Sequence, residues 1–505
     1  MIRALKKKYE IVVLLLLGFF SSLGYAPYNL YFLTIISLLF SLIILEKTFF
    51  KKDAFKKGFV FGFSFHISIL YWIAISFETA NVGGIYFGLF AVIILSIFLS
   101  LFTAISFFLI KYFNFQFNNY LGVLSVVTIF SLFDWIKGNI LWGFPWIPIS
   151  SIWTFDESTI SIFSIIGIWG YSFVTYSLIL GIYSIKYNYK ISIFFFSPFI
   201  FFFCLANFIL KPEIKEIDDL LIRLVQPNIK QEDKWDIEKT EKNLSTLINL
   251  SNKSSDKEID LIIWPETAVA YNIEKSKKKN DFLISKLNNF NNLILGSIRR
   301  DFKDEQNLIY NSLFLIQDKF KRIQHHDKLK LVPFGEYIPF RGFLNKRQLT
   351  LGGLDFTVGD KIKILKLNDK VKILPLICYE VIFPNISRKK SNNYNILVNI
   401  TNDAWYGKSR GPYQHLELSK IRAVLEGKYL IRVANTGISA IINHNGTVEN
   451  HLKLTQSGII DKELVLTKKN TLYSKLGETF FFSALLLSFL IIIFNLNRRS
   501  GNKHE

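Results

Sequence analysis

A carboxylate, an ammonium and a thiol stand where apolar runs of this chain hand over to loops. Leu261-Ile262-Ile263-Trp264-Pro265-Glu266 ends on an acid, with Pro265 stopping the ladder because it has no N–H. Leu374-Pro375-Leu376-Ile377-Cys378-Tyr379-Glu380 does the same for a thiol. Between them lies His326-Asp327-Lys328-Leu329-Lys330-Leu331-Val332-Pro333-Phe334-Gly335-Glu336. Brought together, a Glu can take the thiol proton and a Lys can hold the oxyanion formed when sulfur attacks a carbonyl. A nearby ammonium also favours the thiolate. Singly, each feature is ordinary. A cysteine on an apolar strand is more often a small buried hydrophobe, a Glu after a strand often caps a turn, and most lysines in a Lys-rich chain are solvated. Cys378 gains weight because Cys204, the other of two cysteines, falls in an apolar run expected to lie in a membrane. That leaves Cys378 without an evident disulfide partner in an oxidising compartment.

Such groups need strands to position them. Short β-rich runs occur at Leu220–Gln226, Ile259–Trp264, Leu293–Ser297, Ile309–Ile316, Ile373–Cys378, Ile396–Thr401, Leu430–Ala434 and Ser439–Asn443. Helix-compatible polar stretches at 238–252, 276–289 and 413–426 lie between several of them. Continuous apolar strands alternating with helices predict an α/β layered domain over 211–479. There is no G-x-G-x-x-G, Walker loop or G-x-S-x-G elbow, and the seven His residues form no H-E-x-x-H or Cys/His cluster. No cofactor and no metal are therefore expected.

Outside that segment the chain is strongly apolar. Half of all residues are hydrophobic, which excludes disorder, and concentration of the apolar residues in 1–210 and near 480–495 excludes a fully soluble protein. Eight runs approach the ~20 residues that a spanning helix needs: 10–26, 29–45, 58–77, 85–110, 120–135, 160–184, 191–210 and 479–495. The first follows Lys6, Lys7 and Lys8 like a signal peptide, but no small-x-small site separates it from the next, so it reads as a retained anchor. Every second connection is basic, from the N-terminus through Lys47–Lys57, Lys111, Lys186 and Lys190 to Arg498 and Arg499, whereas Glu78–Gly84 has no Lys or Arg. Both termini are thus expected in the cytoplasm, with 211–479 on the other side. The predicted division is 1–210 with seven helices, 211–479 catalytic, and 480–505 as an eighth helix and tail. The net charge of +20 reflects this topology in part, and no motif supports nucleic-acid binding. The aromatic loop 136–158, with Trp142, Trp146 and Trp153, reads first as an interfacial belt and second as the lining of a lipid slot. His66 and Asp134 stand out as polar residues in the spans, Asp134 near enough to a span end to face water.

Trp264-Pro265-Glu266, Lys328 through Glu336, and Cys378-Tyr379-Glu380 resemble the Glu–Lys–Cys motifs of the nitrilase superfamily. With the spans, and with Gly143-Phe144-Pro145-Trp146, Gln226-Pro227-Asn228, Trp235, Asn402-Asp403-Ala404-Trp405-Tyr406-Gly407, Arg432 and Asn435-Thr436-Gly437, the whole chain resembles the bacterial apolipoprotein N-acyltransferases. The resemblance implies an α-β-β-α sandwich of nitrilase type with eight membrane helices, in the bacterial inner membrane, its catalytic domain periplasmic. It implies transfer of an acyl chain from a phospholipid to the N-terminal amine of a diacylglyceryl-cysteine apolipoprotein, by a ping-pong route through a Cys thioester. Glu266 would be the base, Lys328 the oxyanion stabiliser and Cys378 the nucleophile; family spacing selects Lys328 over Lys330. Glu336 and Glu380 would support the site, and Trp235, Tyr379, Trp405 and Trp146 would gate or line the acyl pocket. The family's Glu-Trp-Leu-Arg-Gly is here Asp134-Trp135-Ile136-Lys137-Gly138, and a Lys cannot reproduce a bidentate Arg contact. A monomer is expected. Two other readings compete: a membrane-anchored amidase using the same three residues, for which an open polar cleft would speak, and a transporter, which would need charged or broken helices at the bilayer midplane.

Overall fold

The computed structural model describes residues 2–209, 215–234, 236, 238–287, 290–303, 305–338, 355–387, 393–468 and 470–501. These form two units. One comprises Met1–Ala74, Leu89–Lys211 and Thr471–Glu505, and the other Ile75–Gly88 and Pro212–Asn470.

Long apolar runs make the first unit helical, even across Pro198 inside Tyr189–Cys204 and a kink at Gly167 inside Phe163–Ser184. Four helices are long and apolar enough to cross a membrane: Gly84–Tyr112, Tyr120–Asn139, Phe163–Ser184 and Tyr189–Phe208. Lys51–Leu70 and Trp72–Thr79, bent by 45°, make a fifth if counted as one span. Tyr9–Ser22, Tyr31–Glu46 and Thr479–Asn495 are apolar but shorter, so among the described residues four or five helices meet the length of a span where eight are expected. Length is the reason. The 16 residues of Tyr31–Glu46 rise about 24 Å, short of a hydrocarbon core of about 30 Å.

The two polar residues that stand out in the spans are both buried. His66 is buried, its Nδ1 2.7 Å from the Gly62 carbonyl of its own helix. Asp134 is also buried rather than facing water; it pairs with Lys137 at 2.7 Å and accepts the Ile149 N–H at 3.1 Å, tying its helix to the aromatic loop. That loop packs inward. Trp146 lies against Trp72 and parallel to Phe144, and Trp153 Nε1 donates to Thr175 Oγ1 at 2.9 Å. The interfacial belt expected here is therefore a core for Trp146 and Trp153, because Thr175 supplies a partner for a buried indole N–H.

The second unit contains twelve strands: β1 (Lys215–Gln226), β2 (Leu261–Ile263), β3 (Asn292–Lys303), β4 (Gln306–Gln317), β5 (Arg322–Asp327), β6 (Leu365–Lys366), β7 (Lys372–Ile377), β8 (Ile396–Thr401), β9 (Tyr429–Ala434), β10 (Ser439–Ile442), β11 (Val448–Leu452) and β12 (Gly458–Lys468). They form two six-stranded sheets, ordered β12-β1-β2-β3-β4-β5 and β11-β10-β9-β8-β7-β6. Each sheet has a parallel trio, β1-β2-β3 or β7-β8-β9, flanked by antiparallel neighbours. All eight expected runs contribute strands. Of the four strands beyond them, β5 (Arg-Ile-Gln-His-His-Asp), β6 and β11 are short or polar, whereas the 11 residues of β12 do alternate, burying Ile460, Leu464 and Leu466.

Side-chain alternation divides the faces of the first sheet. Ile222, Leu224, Leu261, Ile263 and Ile294 point inward and pack on Ile377, Val398, Ile400, Ile431 and Val433 of the second sheet. Val225, Ile262, Trp264, Leu293 and Leu295 point outward and meet Leu244, Leu247, Ile248 and Leu283. Those last four belong to the helices Thr240–Ser251 and Lys277–Lys286. A further helix, Gly411–Glu426, packs on β9. The layering is α-β-β-α. Ile263→Ala, in the fully buried centre, should cost about 2–5 kcal/mol. Val465→Ala, on an exposed face of β12, should stay within about 0.5 kcal/mol. Denaturant unfolding of the solubilised protein measures both, and equal losses would contradict this layering.

Candidate active site

Where parallel strands end, ladder bonding stops and side chains from several strands can converge. Glu266 follows β2, Cys378 follows β7, Asp403 follows β8 and Asn435 follows β9. Lys328 follows β5, which runs in the direction of β3 because two antiparallel pairings intervene.

Glu266 is held by a close backbone crossing. A Cβ at Gly296 would lie 2.3 Å from the Thr267 nitrogen and 2.6 Å from the Glu266 Cα, so only glycine fits there. The Gly296 N–H donates to the Pro265 carbonyl at 3.1 Å. The carboxylate, 6 % exposed, accepts Asn311 Nδ2 at 2.7 Å and lies 3.4 Å from Lys328 Nζ. Lys328, 1 % exposed, also donates to Glu336 at 2.9 Å. Asn311 Nδ2 is 2.9 Å from Glu336 as well, and the Val332 N–H fixes the other Glu336 oxygen at 2.8 Å. An ammonium and an amide thus bridge two carboxylates. Burial alone would lower the Lys328 pKa, but Glu336 and Glu266 outweigh it and hold the ammonium above its ordinary value.

Cys378 opens a short 3₁₀ turn with φ +50°, a left-handed backbone that costs a non-glycine residue energy. Fixed hydrogen bonds over-determine this turn. Glu380, fully buried, accepts the N–H groups of Ile377 (2.8 Å), Leu329 (2.6 Å) and Lys330 (3.3 Å), joining the cysteine turn to the lysine segment through one carboxylate. Burial would raise the Glu380 pKa, but His326, 3.6 Å away, and the backbone donors hold it lower. Asn399 Nδ2 donates to the carbonyls of Leu376 and Cys378 at 3.2 Å. Behind the turn, Asp403 accepts Arg432 Nη2 at 2.6 Å and Thr401 Oγ1 at 2.9 Å, with His415 Nδ1 at 3.0 Å. Against the effect of burial, Arg432 and His415 keep Asp403 well below the usual carboxylate range.

The thiol is protonated at rest. Burial first, then the Glu266 charge, pushes Cys378 up to about 12, while Lys328 and Thr401 pull in the opposite direction. A base must therefore remove its proton when substrate arrives.

Glu266, Lys328, Glu336, Cys378 and Glu380 are brought into one buried constellation. Lys330 is exposed, its ammonium 5.3 Å from the Phe383 ring centre. Tyr379 is buried edge-on to Phe383, and Trp405 is half-buried in the turn Asp403–Tyr406. Trp146 belongs to the helical unit, and Trp235 lies outside the described residues. Asn311 was not singled out in the sequence, although a lone amide in an apolar strand marks it. Lys234, whose Nζ donates to the Glu266 carbonyl at 2.8 Å, sits in a charged run that reads as solvated. No group of three or more His, Cys, Asp and Glu that could hold a metal occurs among the described residues.

Residues 17–180 match the apolipoprotein N-acyltransferase N-terminal domain, and residues 221–468 match the carbon-nitrogen hydrolase family. An apolipoprotein N-acyltransferase of Rickettsia prowazekii (strain Madrid E) is 35% identical over 500 residues, covering 95% of this chain and 97% of its own. One from Brucella suis biovar 1 (strain 1330) is 32% identical over 428 residues, 81% of this chain and 80% of its own. A third, from Rhodopseudomonas palustris (strain ATCC BAA-98 / CGA009), is 28% identical over 513 residues, 97% and 95% respectively.

A thiol raised by burial makes a kinetic prediction. In the resting protein, alkylation of Cys378 by iodoacetamide should climb continuously from pH 7 to 10, because thiolate grows with pH throughout that range. A plateau reached below pH 8 would mean a thiolate at rest.

Proposed function

The chain belongs to the apolipoprotein N-acyltransferase family, and from that premise we propose how the residues around Cys378 perform the reaction. An acyl chain passes from a membrane phospholipid to the N-terminal amine of a diacylglyceryl-cysteine on an apolipoprotein. In the first half, Glu266 takes the thiol proton and the sulfur attacks the donor ester carbonyl. The Lys328 ammonium meets the oxyanion. Collapse breaks the ester C–O bond, the proton on Glu266 goes to the departing alkoxide, and lysophospholipid leaves a thioester on Cys378. In the second half, the neutral acceptor amine attacks that thioester and Glu266 receives its proton. The C–S bond breaks, the thiolate is reprotonated and the amide is complete.

The observation that carries this reading is the buried Lys328 ammonium, 2.9 Å from Glu336 and 3.4 Å from Glu266, with Cys378 electrostatically coupled to both Lys328 and Glu266. Glu336 fixes the lysine and Glu380 fixes the nucleophile turn. Burial of Cys378 and Glu266 favours transfer over hydrolysis, because water competes for a thioester only where it can reach it. Tyr379 and Trp405 are the residues we assign to the acyl path.

The topology is part of the same proposal. Residues 1–210 and 480–505 form the membrane part and 211–479 the catalytic domain. Eight spans would have the three shorter apolar helices cross with local bilayer thinning. Alternating basic loops support a catalytic domain on the periplasmic face of the inner membrane. Confinement to the bilayer lets the lipid donor and the lipid-anchored acceptor find one monomer by two-dimensional diffusion.

Cys378→Ala should abolish transfer in a folded, inserted protein, while Cys204→Ala remains active. Incubation with phospholipid alone should add the mass of one acyl group, located on Cys378. An adduct elsewhere, or transfer without that thiol, would overturn the assignment. Lys328→Ala should lower kcat by about 10²–10³-fold, as loss of an oxyanion donor does. Lys330→Ala should be far milder, and equal losses would give Lys330 a share in the chemistry.

A further inference from the structure

We propose that Lys234 is a positioning residue of this site, its ammonium supplying the second positive charge that allows Cys378 to pass its proton to Glu266 within a buried cluster. The inference rests on the reading of Cys378 as nucleophile and Glu266 as base. Lys234 closes the single helical turn Gln231–Lys234, which Asn402 Nδ2 anchors by donating to Gln231 Oε1 at 2.7 Å. Its side chain is turned away from water, 7 % exposed, and its Nζ donates to the main-chain carbonyl of Glu266 at 2.8 Å. A buried lysine ordinarily sits on a carboxylate. Here the acids of its own turn are engaged elsewhere, Asp233 with Lys239 at 2.5 Å and Glu232 near Lys230 at 3.8 Å.

Counting charge explains the placement. Glu266 and Glu336 bring two negative charges, and Lys328 alone would leave the resting cluster with one in excess. Of the buried acids near the thiol outside this cluster, Asp403 is matched by Arg432, and Glu380 is taken up by the N–H groups of Ile377, Leu329 and Lys330. With Lys234 the cluster is neutral. Proton transfer from the thiol to Glu266 then moves a negative charge to sulfur without placing it in an already anionic pocket. Burial lowers Lys234 to about 8, while Glu266 and Cys378 act to keep its proton on. It is therefore charged at neutral pH and responds to the charge state of both reacting groups.

Alkylation of Cys378 by iodoacetamide without any acyl donor tests this in the full-length protein carrying Cys204→Ala. Failure of the inference is thereby separated from failure of the acyl-transfer reading, which is read by the acyl adduct. Lys234→Arg keeps charge and donor, Lys234→Gln keeps a donor without charge, and Lys234→Met keeps neither. Thermal unfolding first establishes which variants are folded. At pH 7, where Lys234 of the parent carries its proton, the Gln and Met proteins should alkylate about tenfold more slowly, equivalent to about one unit in the thiol. The Arg protein should recover most of the parent rate. A folded Gln variant alkylating at the parent rate would reduce Lys234 to a backbone clasp and overturn the proposal. Should the substitutions prevent folding, the parent decides. Its logarithmic rate should rise with unit slope to about pH 8 and less steeply above, as Lys234 loses its charge. A straight line of unit slope from pH 7 to 10 would overturn it.

Discussion

Taking the Lys328 ammonium out of water costs several kcal/mol unless its partners are already in place. Three loops meet that condition together. The turn after β2 brings Glu266, the turn around Pro333–Tyr337 brings Glu336, and the end of β5 brings the lysine itself. Asn311 reaches from β4 to touch both carboxylates, so the two acids are spaced by an amide as well as by the cation. None of these groups can shift alone without leaving a buried charge uncompensated. The two-sheet core supplies the rigidity that keeps them there, since the strands delivering Glu266 and Cys378 belong to opposite sheets packed face to face.

The nucleophile is held by different means. Cys378 occupies a backbone conformation that costs energy, and Glu380, Asn399 and the Asp403–Arg432–His415 group over-determine it. Glu380 also bonds the residues following Lys328, so the lysine and the thiol share a mechanical anchor. This division of labour separates charge from shape. The acids around Lys328 set the electrostatics, and the polar network under Cys378 sets the geometry.

Much of this was legible in the sequence where function and local pattern coincide. Glu266 and Cys378 each end an apolar run, and a strand end is where a reactive side chain must stand. Lys328 was harder. β5 has no apolar period, so its choice over Lys330 came from the spacing of a family motif rather than from any strand signal. Asn311 and Lys234 show the limit. Each owes its importance to tertiary contact with Glu266; Asn311 shows locally only as an amide within an apolar run, and Lys234 sits in a charged run that reads as solvated. The aromatic loop misled for the same reason, since Trp146 and Trp153 are typical belt residues until tertiary partners bury them. Hydropathy located the apolar helices, but span number depends on helix length, which a composition window blurs.

The pairing of β1 with β12 carries an architectural consequence. Lys215 stands opposite Lys468, and the register continues to Gln226 opposite Gly458. The first and last strands of the sandwich are thus neighbours in one antiparallel ladder, and the two chain ends of the fold leave side by side. A module with adjoining ends can be spliced into a host chain, or lifted from it, without severing a strand. The sequence interrupts its apolar helices for some 260 residues before taking them up again.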